Sequence, residues 1–190
     1  MKAEGNIRTY TRMKTLDIVY IAIGVALITI GSWISIPMTV PFTLQTFAVF
    51  TTLLLLGGYR GTIAALVYVL MGAIGIPVFA GFSGGLSIVL GNTGGYIVGF
   101  IFMGLIYAVL TGIFGEKLYV EIAALLIGLF VCYAFGTAWF MYVYMKDTGE
   151  VGLMTVLSWC VFPFIIPDLV KMSLAFVISR RVRPVIKNHF

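Results

Sequence analysis

The sequence predicts an all-α integral membrane protein, a bundle of six transmembrane helices with outer loops covering a ligand pocket. Three observations carry this. Hydrophobic residues make up 61% of the 190 and charged residues 10%, and the mean hydropathy is +1.10, more apolar surface than a soluble domain of this length can bury. Proline and glycine clusters cut that apolar sequence into pieces near the roughly 20 residues a spanning helix needs. The basic residues gather at the ends of the pieces. A single membrane domain over 1–190 accounts for the length and leaves no room for a second, soluble one.

Met1 to Lys14 resembles the charged start of a signal peptide, but the apolar run behind it is long and lacks a small-residue cleavage site, so it reads as the first retained span. That span covers about Leu16 to Ser35, after which Pro37 and Pro41 force an extended loop. A short second span runs from Leu44 to Leu56 and turns at Gly57-Gly58-Tyr59-Arg60-Gly61. The third covers Thr62 to Ile76 and stops at Pro77. From Phe79 to Gly95 the chain is a long glycine-rich connection, and a loop of that length in a compact protein points to function. Span 4 runs from Tyr96 to Phe114 and span 5 from Leu118 to Tyr144, each ending in charges. Gly152 to Phe162 is too short to span and reads as a short helix or loop over the outer mouth. Pro163 and Pro167 then set where span 6 begins.

Charge sets the orientation. With the N-terminus inside, the inner segments hold Lys2, Arg8, Arg12, Lys14, Arg60, Lys117, Arg180, Arg181, Arg183 and Lys187, and the outer ones hold only Lys146. Both termini are therefore expected in the cytoplasm. The same arrangement accounts for the formal charge of +5 without nucleic acid, since no basic face interleaved with aromatics is visible. The partner it implies is the lipid bilayer. Cys132 and Cys160 sit in apolar sequence and read as small buried hydrophobes, with no metal-ligand spacing around them.

Asp168 and Lys171 fall three residues apart within Pro, Phe, Ile, Leu, Val and Met, on one face of the last span. Charges at membrane depth are costly, so the pair either neutralises itself for structural reasons or serves a ligand. Gln45, between Thr43 and Thr46, is either a helix cap or a pocket group. Tyr96 is either an interfacial aromatic or a hydroxyl for a ligand. Asn92-Thr93 is a polar pair between glycines. Phe42, Phe79 and Phe82 are candidate pocket walls among 15 phenylalanines. Ala22 and Ala26 form a small-x-x-x-small face, suited either to internal packing or to another helix. No Gly-Lys-Ser/Thr follows the glycines, which argues against nucleotide binding.

Three blocks resemble the BioY family: Met13 to Phe47 with Pro41-Phe42-Thr43-Leu44-Gln45-Thr46, Leu54 to Phe100 with Pro77-Val78-Phe79-Ala80-Gly81 and Gly94-Gly95-Tyr96, and Pro163 to Pro184 with Asp168-Leu169-Val170-Lys171. The resemblance covers somewhat over half the chain, and Ile101 to Phe162 is generic membrane sequence. It implies the biotin-binding S component of an energy-coupling factor (ECF) transporter in a prokaryotic cell membrane, partnered by a transmembrane T component and two cytoplasmic ABC-type ATPases. Asp168 and Lys171 would belong to the biotin site, with Tyr96, Asn92 and Gln45 beside them, and the Ala22/Ala26 face would dock on the T component. Members commonly carry Gly where this chain has Pro167, and residues other than Asn at the place of Asn92. Biotin is then a transported ligand, and no cofactor is expected. The alternatives are an S component for another vitamin, or a membrane-embedded enzyme. The enzyme is disfavoured because the sequence pairs no Ser with His and no Asp with Asp, and holds no metal-ligand cluster.

Overall fold

A computed structural model describes residues 15–187. The charges at Lys2, Arg8, Arg12 and Lys14, the first residues of the Met13 block, and the C-terminal His189 lie outside them. The chain runs α1 (Thr15–Trp33), β1 (Ser35–Ile36), β2 (Phe42–Thr43), α2 (Gln45–Ala73), a 3-10 turn (Ala80–Phe82), α3 (Leu86–Leu90), α4 (Gly94–Phe114), α5 (Leu118–Thr148), α6 (Leu153–Cys160) and α7 (Phe162–Lys187). Among the described residues, five helical segments are long and apolar enough to cross a membrane, with α6 and α7 counted as one. Their outer faces carry large apolar side chains such as Ile23, Val109, Phe130 and Val170, so the helices are apolar both inside and out, as lipid requires.

Helix α2 is not a rod. Gly57 sits at φ 78°, ψ 171° in its middle, a conformation that glycine adopts freely and other residues resist. A straight helix would hold Gln45 and Tyr68 about 35 Å apart, yet Gln45 Nε2 donates to Tyr68 Oη at 2.9 Å. The two arms, 45–56 and 58–73, therefore lie side by side. A Cβ on Gly61 would stand 3.0 Å from the Cα of Leu53, which shows how closely the arms approach. Helix α1 packs across both: a Cβ on Gly24 would meet Thr52, Leu56 and Ala64 at 2.9 to 3.1 Å. Close approach of this kind is the main source of helix association in lipid.

The proline loop is more ordered than its sequence suggests. Ser35 pairs with Thr43 and Ile36 with Phe42 in a short antiparallel ladder, so the fold is helical with one small hairpin. Helix α7 begins at Phe162, next to Pro163, but carries Pro167 and Pro184 within it. Its buried positions Phe164, Asp168, the adjacent Lys171 and Met172, Ala175 and Ser179 otherwise recur every three or four residues, the inward stripe of a helix. Asp168 and Lys171 face the interior for that reason.

Two polar regions lie at opposite ends of the bundle. At one end, Arg60 pairs with Asp17 at 2.7 Å and Arg183 bridges Glu116 and Glu121. At the other, the hairpin, the 77–93 connection, α6 and the start of α7 surround a cavity.

Candidate functional site

The cavity has a volume of about 280 Å³, near the lower end of the roughly 300 to 1,000 Å³ usual for small-molecule sites. Asp168 and Lys171 are 2% and 5% exposed. Lys171 Nζ donates to Asp168 Oδ1 at 2.8 Å. Thr46 Oγ1 donates to the same oxygen at 3.1 Å, and Tyr133 Oη donates to Oδ2 at 2.6 Å. The carboxylate is thus held from α2, α5 and α7 together. Lys171 Nζ also lies 4.3 Å from the centroid of Phe42, where the negative face of the ring favours a cation. The ion pair is neutral in sum and fixed in direction, while both residues line the cavity.

Thr43 Oγ1 accepts the backbone N–H of Gln45 at 3.1 Å, which anchors the start of α2 and leaves the Gln45 side chain directed at Tyr68 and the cavity. Gln45 does not cap the helix, whose N-cap position is Leu44 with no side-chain cap. Phe79 is 1% exposed, packed against Gly72, where any Cβ would overlap its ring, and it meets Tyr68 edge to face at 5.5 Å. Tyr96 Oη shares a hydrogen bond of 3.1 Å with Thr137 Oγ1. Thr93, Phe164, Cys132 and Cys160 complete the wall. The cysteines are buried and free, and the described residues hold no metal-binding group of His, Cys, Asp and Glu.

Five of the residues singled out in the sequence, Asp168, Lys171, Tyr96, Gln45 and Phe79, thus line one cavity. Asn92 does not join them. It is exposed in the turn before α4, and its neighbour Thr93 faces the cavity instead. Ala22 and Ala26 are exposed on α1 and line a separate apolar groove with Val67, Met71 and Val78, so they are not packed inside the bundle of described residues. Tyr133 and Thr46, the two hydroxyls on Asp168, were not read from the sequence as site residues. Thr46 was visible in the polar triplet with Thr43 and Gln45, whereas Tyr133 lies in featureless apolar sequence and carried no signal.

The chain has relatives among known proteins. The model of the BioY family matches residues 5–188. A probable biotin transporter BioY of Pyrococcus horikoshii is 39% identical over 172 residues, 90% of this chain and 98% of that protein. The biotin transporter BioY of Thermotoga maritima is 40% identical over 162 residues, 83% of this chain and 90% of that one. A crystal structure of the S-component for biotin from an ECF-type ABC transporter superposes with a TM-score of 0.78 at 27% identity, covering 91% of this chain and 95% of that one. The chain is a multi-pass membrane protein that belongs to the BioY family.

Proposed function

We propose that this chain is the substrate-binding S component for high-affinity biotin uptake through an ECF transporter. The observation that carries the reading is the cavity itself: a buried Asp168–Lys171 pair and Gln45 set among aromatic and aliphatic walls, in a member of a family whose relatives are named biotin transporters. Biotin has two ureido N–H donors, a carbonyl acceptor, an apolar thioether ring and a carboxylate tail. A few convergent polar groups in an apolar pocket suit such a molecule.

The two arms of α2 support six crossings within a single domain over 1–190, since α1, each arm, α4, α5 and α7 then alternate in direction. Both termini and the Arg60, Lys117 and Arg183 end lie in the cytoplasm of a prokaryotic cell on this reading, and the cavity opens outward beneath the hairpin and the 77–93 connection. The chain acts as a transport subunit without ATPase activity of its own, so accumulation draws on a T component and cytoplasmic ABC-type ATPases. The Ala22/Ala26 groove is where the T component would dock. Ala22→Leu/Ala26→Leu should keep biotin affinity within about twofold and abolish co-purification with the T component, because close helix packing is lost. Retained co-purification would remove the groove from the account.

The direct test of the function is a calorimetric titration of the purified protein with biotin and then with other vitamins. Saturable binding of biotin alone is expected. Preference for a different vitamin would transfer the site to another substrate.

A further inference from the structure

We propose that Tyr68 is a positioning residue of the ligand pocket, acting through Gln45. The proposal rests on the biotin-site reading above and adds a residue outside the wall of the cavity. Tyr68 is 1% exposed and sits on the second arm of α2. Its hydroxyl carries one proton and two lone pairs. It donates that proton to the backbone oxygen of Val78 at 3.2 Å, the same oxygen that takes a hydrogen bond from Ser32 on α1. With the proton committed to Val78, the 2.9 Å bond to Gln45 runs from Gln45 Nε2 to a Tyr68 lone pair. The orientation of an amide is set by such a network. Here the network turns Gln45 Oε1 away from Tyr68 and leaves it as the acceptor presented to the cavity that Gln45 lines.

The need for that acceptor is chemical. Both oxygens of Asp168 already take donors from within the protein, Lys171 and Thr46 on Oδ1 and Tyr133 on Oδ2. A ligand that brings two N–H groups into a buried pocket requires a second acceptor, because an unmatched buried donor is costly. Tyr68 supplies none of this directly. It fixes which end of the Gln45 amide the ligand meets, and the Ser32–Val78–Tyr68 bonds hold it still by joining α1, the 77–79 segment and α2.

Gln45 is the one glutamine in the chain, so labelling glutamine side-chain amides with ¹⁵N gives a single NH₂ signal. In the wild-type protein, biotin should shift that signal on saturation, and Tyr68→Phe should shift it in the absence of ligand. Tyr68→Phe keeps the ring that packs on Phe79 and should weaken biotin binding about tenfold, the usual scale of one buried hydrogen bond. In a Gln45→Met background the same Tyr68→Phe change should have no further effect, because the two residues act as a unit. Additive losses in that cycle would overturn the proposal, as would a glutamine signal indifferent to biotin in wild-type protein that binds it. The second result needs no variant to fold. Wild-type protein that fails to bind biotin at all would instead refute the substrate reading on which the proposal stands.

Discussion

Near the start of α7, Asp168 and Lys171 pair at 2.8 Å beside the cavity. Near its end, Arg183 reaches Glu121 at 2.6 Å and Glu116 at 2.7 Å, and Tyr107 Oη donates to the same Glu121 oxygen at 3.2 Å. Both are ionic groups in an apolar helix bundle, and none of the second set lines the cavity. The second set ties α7 to α4 and α5, and Glu116 opens to solvent with its side chain 43% exposed. The first is drier, and both of its residues line the cavity. Buried charge at membrane depth is therefore not one signal: one pair faces a cavity and the other ties helices together, and only a group facing a cavity can meet a ligand.

Removing either member of the pocket pair should have the largest effect. Asp168→Asn and Lys171→Ala are each expected to cost about 2 to 5 kcal/mol of biotin affinity, roughly 30-fold to several thousand-fold, in a detergent binding assay on monodisperse protein. The clamp should respond in the opposite quantity. Arg183→Ala is expected to lower unfolding stability by about 1 to 3 kcal/mol through loss of charge-assisted hydrogen bonds, seen as a lower thermal midpoint, with biotin affinity of the folded protein unchanged. An affinity loss matching that of Asp168→Asn would erase the distinction between the two ends.

Tyr133→Phe sharpens the pocket side. It deletes the 2.6 Å donor on Asp168 Oδ2 and leaves the ion pair, so a smaller loss of about tenfold in biotin affinity is expected. Full affinity would show that Asp168 needs no help from α5. The smallest effect belongs to Asn92→Ala, expected within about twofold of wild type because surface changes away from such contacts rarely exceed about 0.5 kcal/mol. Thr93→Val, one residue on and facing the cavity, is the change that should exceed it in the same titration.

The helical, membrane-spanning character was legible in the sequence, and so were the break at Gly57 and the short segment that became α6, because glycine and proline punctuate the apolar sequence. Asp168 and Lys171 were legible because charge is conspicuous among apolar residues. Tyr133 was not, since one tyrosine among 10 gains meaning only when the fold brings its hydroxyl from α5 to Asp168 on α7. Arg183 reads as a topology marker at a span end while Glu121 carries no reading of its own, and their pairing across 62 residues follows from packing that no local pattern encodes. The Asn92-Thr93 pair shows the finest limit. Sequence located the polar turn before α4, but which of two adjacent side chains faces inward depends on the backbone of that turn.

Whether the buried pair at the start of α7 recognises the ligand is decided by a calorimetric biotin titration of wild-type and Lys171→Ala protein, run side by side with Arg183→Ala. The account predicts tight, saturable binding by wild type and Arg183→Ala, and an affinity at least about 30-fold weaker for Lys171→Ala. Equal affinity in wild type and Lys171→Ala would contradict it and leave Asp168 and Lys171 as a second helix clamp.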